Sequence, residues 1–400
     1  MKNILMLTPI YPADDIEKGS TPVVHYFTKE WVKLGYNVVV MHYVVNFPSF
    51  LVFLLRPFFK LISSKEGYAV RSHCVKYREY QLDGVSVCRI PLFKYRPHSR
   101  YSEKEILKAV SKTLDYCSKR NFIPDQICAH WVNPSFDIMH RLKGIFKVPT
   151  CYVAHDTGKD LLKLYRDEVN SFINETDVIG YRSAHIKELF EKNFNCSEKK
   201  NFMCYSGIPE DFLALPQKTK NFDHVLNFIF VGSLIERKYP AEIIPAVKAA
   251  YGNEKFTITY IGKGEEQKKI QCYAKKFNCE ENICLHGYLD RKKVVEELCK
   301  NDVFIMISRK ETYGLVYLEA MAAGCIVIAS KNEGFDGIIQ DGKNGFICNA
   351  GDIDNLTMII KRIKKMSPKD LFLISQNAMK TASLLTDEKV AKNYLASNGL

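Results

Sequence analysis

Strand-like and helix-like segments alternate along most of the 400 residues, and this alternation constrains the fold more than any other feature. Short apolar runs such as NILML and NVVVMHY are separated by stretches whose apolar residues recur at helical spacing. Strands that alternate with helices form parallel sheets with helices on both faces. The pattern therefore predicts an α/β protein built from doubly wound, Rossmann-like sheets.

The alternation stops once, at the polar stretch ALPQKTKNFDH, and restarts with the apolar run NFIFVGSL. A chain of this length is too long for one hydrophobic core. We therefore predict two doubly wound domains, residues 1–215 and 222–375, that face each other across a cleft. Residues 376–400 have a helical pattern without a strand, and we expect this tail to pack back toward the first domain.

The net charge of +12 predicts an anionic partner. Residues 56–100 contain ten Lys and Arg against three acidic residues, but no DNA- or RNA-binding motif accompanies them. We therefore expect no nucleic-acid partner. A nucleic-acid binder would instead show DNA affinity that falls steeply with salt.

The 13 cysteines occur singly, without a CxxC pair. This pattern indicates reduced thiols and gives no support for a metal site. The start of the chain, MKNILMLTPIYPADD, lacks an apolar run of signal-peptide length. Both features predict a cytoplasmic protein.

The stretch 44–62, VVNFPSFLVFLLRPFFKLI, is strongly apolar but is interrupted by prolines and cations. It is therefore a poor candidate for a membrane span, which needs about 20 predominantly apolar residues. Phe and Leu beside Lys and Arg favour an interfacial segment on an anionic membrane. The alternative is a helix or lid packed on the first domain.

Two acidic residues, Glu311 and Glu319, lie in the otherwise apolar stretch after the predicted strand DVFIMIS. Glu311 falls in the loop that follows the strand, and Glu319 falls inside a helix that ends at Gly324. A partly buried carboxylate needs partners, and the first turn of a helix offers free N–H groups. The loop therefore suits a ligand that carries both hydroxyls and phosphate.

The segment ETYGLVYLEAMAAGCIVIAS resembles the signature of retaining glycosyltransferases of the family 4 type, which have the GT-B fold. The resemblance implies that Glu311 is catalytic and binds the donor sugar. It assigns Glu319 to the ribose of the nucleotide. The backbone of the residues that follow the first acid would also bind the donor, namely Thr312, Tyr313 and Gly314.

The segment FVGSLIERKYP resembles the phosphate-binding element of the same family. By this resemblance Gly232 provides the turn after the strand, and Lys238 binds the donor phosphate. Ser233 stands where the family often has Arg, and we expect Arg237 to replace that Arg. Fixed cations suit this role because they stabilise the charge of a departing diphosphate.

In the first domain, the resemblance places His155 at a strand end near the donor sugar, as a second catalytic residue, and Gly19 in a loop facing the cleft. A later loop departs from the family, because Gly337 stands where a Glu is common. Three alternatives stay open: Glu333 replaces this Glu, Asp336 replaces it, or no residue does.

Together these features imply a retaining glycosyltransferase that uses a nucleoside diphosphate sugar, most often a UDP-sugar. The expected acceptor is a saccharide or a lipid-linked saccharide in cell-surface polysaccharide biosynthesis, at the inner face of the membrane. We expect no cofactor and no metal, because Lys238 and helix N-termini can carry the diphosphate charge. The alternatives are a sugar-nucleotide epimerase on the same scaffold and a non-catalytic assembly partner.

Overall fold

The computed structural model describes residues 1–15, 22–48, 74–96, 99–214, 220 and 222–400. The chain divides into two compact units. The first unit comprises Met1–Arg182, Ile186–Cys204 and Val390–Leu400, and the second comprises Ser183–His185 and Tyr205–Lys389. The second unit thus begins ahead of the polar stretch at which we placed the linker. Of the predicted tail, only the part from Val390 onward belongs to the first unit.

The described sheet of the first unit has the strand order β3-β4-β2-β1-β5-β6-β7-β8. Its neighbouring strands are parallel except for the antiparallel pair β3–β4. The strands are β1 (Asn3–Thr8), β2 (Asn37–Asn46), β3 (Arg78–Leu82), β4 (Val85–Phe93), β5 (Gln126–His130), β6 (Thr150–Ala154), β7 (Val178–Tyr181) and β8 (Asn201–Met203). The doubly wound sheet that the alternation predicted is therefore present, with a hairpin added at one edge.

Helices connect the parallel strands of this sheet. They are α1 (Val23–Lys33), α2 (Glu103–Lys119), α3 (Ser135–Phe146), α4 (Lys159–Tyr165), α5 (Glu168–Glu175) and α6 (Ala184–Phe194). Pro22 is the N-cap residue of α1, and the helix begins at Val23. Ser20 and Thr21, which precede it, lie outside the described residues.

The described sheet of the second unit has the order β11-β10-β9-β12-β13-β14. All of its strand pairs are parallel. Its strands are β9 (Asn227–Val231), β10 (Thr257–Ile261), β11 (Ile283–Gly287), β12 (Val303–Met306), β13 (Ile326–Ser330) and β14 (Phe346–Cys348). The strand order reverses between β9 and β12, and ligands of open α/β sheets bind at such a reversal, outside the carboxyl ends of the strands.

The helices that follow are α7 (Ile243–Tyr251), α8 (Gln267–Lys276), α9 (Arg291–Lys300), α10 (Leu315–Ala322), α11 (Ile353–Lys365), α12 (Pro368–Ser383) and α13 (Asp387–Ser397). The C-terminal part of α13 completes the core of the first unit. Its Tyr394 packs edge-on against Trp31 of α1 at 4.9 Å between ring centroids. Trp31 also donates from Nε1 to the carbonyl of Ala391 at 3.2 Å.

Candidate functional site

The loops that follow β9 and β12 bring together the charged residues singled out in the second unit. Lys238 Nζ lies 3.3 Å from Glu311 Oε2, and Arg237 Nη1 lies 3.6 Å from the same oxygen. The side chains of Lys238 and Glu311 are only 13% and 14% exposed, respectively. The predicted sugar-binding acid and the predicted phosphate-binding cation therefore form an ion pair that is largely screened from water.

Arg237 also holds the loop that carries Glu311. Its backbone carbonyl accepts a hydrogen bond from the N–H of Arg309 at 2.7 Å. Its Nη1 donates to the carbonyls of Arg309 and Lys310 at 3.3 and 3.4 Å. Arg237 is thus placed to position the loop as well as to bind an anion.

Tyr313 is a fixed point of the same loop. Its side chain is buried, and its hydroxyl donates to the carbonyl of Ser206 at 2.8 Å. The side chain of Tyr313 is therefore engaged within the protein, and the resemblance assigns only its backbone to the donor. Thr312 and Gly314, which flank it, are partly exposed.

At two positions near the ion pair, the backbone conformation and the surrounding atoms favour glycine. Gly314 has φ +81°, and a Cβ there would lie 2.5 Å from the ring of Tyr317. Gly232 has φ +152°, and a Cβ there would lie 3.3 Å from Lys238 Nζ. A side chain at either position would strain the backbone and crowd the residues that form the site.

Glu319 has a different partner from Glu311. It is 6% exposed, inside α10, and its Oε1 accepts a hydrogen bond from Nε of Arg291 at 2.6 Å. Burial raises the pKa of Glu319, and the charge and hydrogen bond of Arg291 oppose this shift. The sequence required a partner for this buried acid but did not identify Arg291, which begins α9.

His155 lies in the first unit, directly after β6. Its Nε2 is 3.0 Å from Nδ1 of His130, and its ring stacks on Trp131 at 4.1 Å between centroids. Burial lowers the pKa values of both His155 and His130 well below their ordinary range. His155 is therefore a neutral hydrogen-bonding group, in contrast to the charged cluster in the second unit. Sequence reasoning missed its neighbours His130 and Trp131.

Several cations of the predicted basic stretch 56–100 have acidic partners in the described part of the chain. Arg89 forms a hydrogen bond from Nη1 to Asp15 at 2.6 Å, and Arg100 forms one from Nη2 to Asp137 at 2.9 Å. Burial lowers the pKa of Lys94 to about 8. The described part of this stretch is therefore less positive toward a ligand than its composition predicted.

Two of the remaining predicted features fall wholly or partly outside the described residues. Gly19 and residues 49–62 of the apolar stretch lie outside the described residues, and residues 44–46 end strand β2. Among the residues that the structure does describe, no helix is both long and apolar enough to cross a membrane. Nor do these residues contain a group of three His, Cys, Asp or Glu side chains placed to hold a metal ion.

The loop after β13 provides one further contact to the site. We named two acids of this loop from the sequence but did not predict what they contact. Glu333 Oε2 accepts a hydrogen bond from the backbone N–H of Glu311 at 2.6 Å. Asp336, the other substitute considered, accepts instead from the N–H of Asn332 at 2.6 Å. Glu333 is therefore the acid of this loop that bonds to the predicted site.

The fold of the whole chain is shared with solved structures. It aligns with HepE from Anabaena, crystallised in complex with UDP, with a TM-score of 0.67 and 16% sequence identity over 99% of both chains. Structures of this kind have two Rossmann-like domains and define the GT-B fold. The predicted fold class is therefore confirmed.

The sequence of the second unit matches a known family. Residues 211–381 match the family described as Glycosyl transferases group 1. This range contains Arg237, Lys238, Glu311, Glu319 and Glu333, so the charged cluster lies inside the matched region. The part of the chain that carries the predicted resemblance is thus the part that matches this family, and the family resemblance seen in the sequence is confirmed.

Two curated relatives extend the similarity beyond this domain. The chain is 31% identical to an uncharacterized 41.2 kDa protein in the cps region of Klebsiella pneumoniae, over 56% of this chain and 63% of that protein. It is 25% identical to an N-acetyl-alpha-D-glucosaminyl L-malate synthase of Bacillus anthracis, over 67% of this chain and 70% of that protein. The match thus spans less than two thirds of the Klebsiella protein.

Proposed function

We propose that the chain is a retaining glycosyltransferase that moves a sugar from a nucleoside diphosphate sugar, in the first place a UDP-sugar, to a saccharide acceptor. The ion pair between Lys238 and Glu311 is the observation that carries this proposal. Lys238, to which we assign phosphate, lies 3.3 Å from Glu311, to which we assign the sugar hydroxyls, and both follow strands at the strand-order reversal. A nucleoside diphosphate sugar likewise carries its phosphate groups directly next to the hydroxyl groups of its sugar.

The proposed mechanism begins with an exchange of partners. The diphosphate binds Lys238 and Arg237, and Glu311 is released to accept hydrogen bonds from the sugar hydroxyls. The bond between the anomeric carbon and the β-phosphate oxygen then breaks. The two cations stabilise the negative charge that collects on the departing phosphate, so this chemistry requires no metal ion.

Retention is expected to follow from attack on the same face of the sugar. The acceptor oxygen forms its bond to the anomeric carbon on the side that the phosphate leaves, and the acceptor proton passes to a phosphate oxygen. This step needs no protein nucleophile. It needs orientation of the anomeric carbon, which is the role proposed for Glu311.

Two further groups complete the proposed donor contacts. Glu319 would accept a hydrogen bond from a ribose hydroxyl with one oxygen while Arg291 holds the other. His155 would bond to a sugar hydroxyl as a neutral imidazole. Both roles suit groups that are held in place by neighbours, because a fixed partner loses little entropy on binding.

We also propose that the acceptor belongs to cell-surface polysaccharide synthesis and is lipid-linked, and that the protein acts in the cytoplasm at the inner face of the membrane. The support is the apolar and basic composition of residues 44–62 and the similarity to a protein in a cps region. Sedimentation with anionic vesicles tests the membrane contact. Replacing Phe53, Leu54, Phe58 and Phe59 with polar residues should abolish this sedimentation without unfolding the protein.

The direct test is a panel of nucleotide sugars screened by thermal stabilisation, since a bound ligand raises the melting temperature by mass action. The donor that stabilises most is then incubated with saccharide acceptors, and the anomeric configuration of the product is read by NMR. An inverted product would contradict retention. A changed nucleotide sugar formed without any acceptor would indicate an epimerase instead.

A further inference from the structure

A turn after β13 packs directly against the loop that carries Glu311. A Cβ added at Gly334 would lie 2.4 Å from the backbone N of Tyr313 and 2.6 Å from the carbonyl carbon of Thr312. The preceding residue, Glu333, accepts the hydrogen bond of the Glu311 N–H at 2.6 Å. The absence of a side chain at Gly334 thus lets the carboxylate of Glu333 reach the loop.

Both carboxylates act on one buried group beneath the loop. Burial, together with the negative charges of Glu311 and Glu333, raises the pKa of the Tyr317 hydroxyl well above its ordinary value. The positive charge of Arg237 acts in the opposite direction. Glu311, Glu333 and Arg237 therefore share one electrostatic environment. Glu311 and Arg237 have been assigned to the donor, but Glu333 has not.

We propose, on the basis of the proposed function, that Glu333 is a specificity-determining residue that selects donors with an uncharged sugar and excludes uronic acids. It does so by holding the Glu311 loop in place and by setting a second carboxylate beside the sugar position.

The argument is one of charge balance. In the structure, Lys238 and Arg237 offset the charge of Glu311. A bound diphosphate takes these two cations as partners. The carboxylates of Glu311 and Glu333 then face the sugar without compensation, and a uronic acid would add a third negative charge in a site partly screened from water. A neutral sugar offers hydroxyl donors to the same two acids.

The test compares UDP-glucose with UDP-glucuronic acid by calorimetry at low salt, with free UDP as the reference. The wild-type protein should bind UDP-glucose at least about tenfold more tightly. Glu333→Gln keeps an oxygen that can accept from the Glu311 N–H but removes the charge. This variant should reduce the preference for UDP-glucose over UDP-glucuronic acid to about threefold, and it should leave the affinity for UDP unchanged.

Asp336→Asn is the matched control, since it removes one charge from the same turn at a carboxylate bonded to Asn332. It should leave the preference at the wild-type value. Glu333→Ala removes both the charge and the hydrogen bond. It should therefore lower the transfer rate from UDP-glucose by about tenfold, a larger loss than that caused by Glu333→Gln.

An equal affinity of the wild-type protein for both donors would overturn the inference. So would a preference that Glu333→Gln leaves unchanged, or one that Asp336→Asn narrows as much. In each of these cases UDP still binds. Failure of the proposed function is distinct, because the protein would then bind neither UDP nor either UDP-sugar, and the inference would fall with it.

Discussion

The charged cluster of the second unit and the imidazole pair of the first unit both lie at the carboxyl ends of parallel strands, but they differ in chemistry. The former joins Lys238 and Arg237 to Glu311 within 3.6 Å. The latter joins His155 to His130, both uncharged because burial lowers their pKa values. The comparison shows that the second unit presents paired charges, whereas the first unit presents hydrogen-bonding groups without charge.

The largest expected effect is on the exchange of partners. Glu311→Ala should lower the transfer rate by about 100-fold, because orientation of the sugar matters most near the transition state. Free UDP should bind as tightly as before or more tightly, because Lys238 no longer has a competing carboxylate. Turnover and calorimetry on the same preparation measure the two effects. Weaker UDP binding in this variant would show that Glu311 serves the nucleotide instead.

Lys238→Ala should lower transfer activity by one to two decades, equivalent to about 1.5–3 kcal/mol of lost phosphate interaction. UDP affinity should fall in parallel, since the free nucleotide carries the same diphosphate. Arg237→Ala is the comparison variant, and a smaller loss is expected because Arg237 lies farther from the shared oxygen. If Lys238→Ala keeps wild-type activity, Lys238 does not bind the donor phosphate.

Glu319→Ala should weaken the binding of free UDP by about tenfold, equivalent to about 1.4 kcal/mol. The partly buried guanidinium of Arg291 loses its hydrogen bond to Glu319 in this variant, so stability must be followed as well. Glu319→Gln retains an acceptor for Arg291 and separates the two effects. If UDP affinity is unchanged in both variants, Glu319 is a structural partner of Arg291 only.

The smallest expected effect is on how the free energy of unfolding of the first unit depends on pH. The pKa of His140 is lowered to about 4, mainly by burial, and the pKa values of His25, His130 and His155 are lowered in the same direction. As pH falls below about 6.5, the unfolded chain binds protons that these folded imidazoles do not. The first unit should therefore lose stability between pH 7 and pH 5.

Hydrogen exchange at pH 7.5 and pH 5.0 can measure this loss separately in each unit. The second unit should change less, because the raised pKa of Glu319 acts with the opposite sign: the folded carboxyl binds a proton more readily than the unfolded one. His140→Phe should reduce the pH dependence of the first unit. Equal destabilisation of both units on acidification would contradict the comparison.

The second unit was the more predictable of the two. Periodicity located its strands, and the spacing of the two acids located the loop and helix that carry them. Their partners could not be predicted in the same way. Arg291 lies 28 residues before Glu319 in the chain, and only the packing of α9 against α10 brings them together. The bond from Glu333 to the loop likewise depends on the close approach at Gly334.

In the first unit the β3–β4 hairpin was missed although a local signal was available. Asp83 and Gly84 link the two strands, with φ values of 50° and 79°. An Asp-Gly pair between alternating strands is a strong indicator of a two-residue hairpin turn. The pairing of His155 with His130 had no such local signal, because it depends on the neighbouring positions of β5 and β6 in the sheet.

The passage of α13 from one unit into the other has a consequence for synthesis. The ribosome makes the chain from its N-terminus, so nearly all of the first unit emerges early, yet Tyr394 and the rest of Val390–Leu400 emerge after the whole second unit. Until then Trp31 lacks the ring of Tyr394 and the acceptor of its indole N–H. The half of the protein that is translated first is therefore the half whose core is completed last, and it must remain soluble through the translation of everything between.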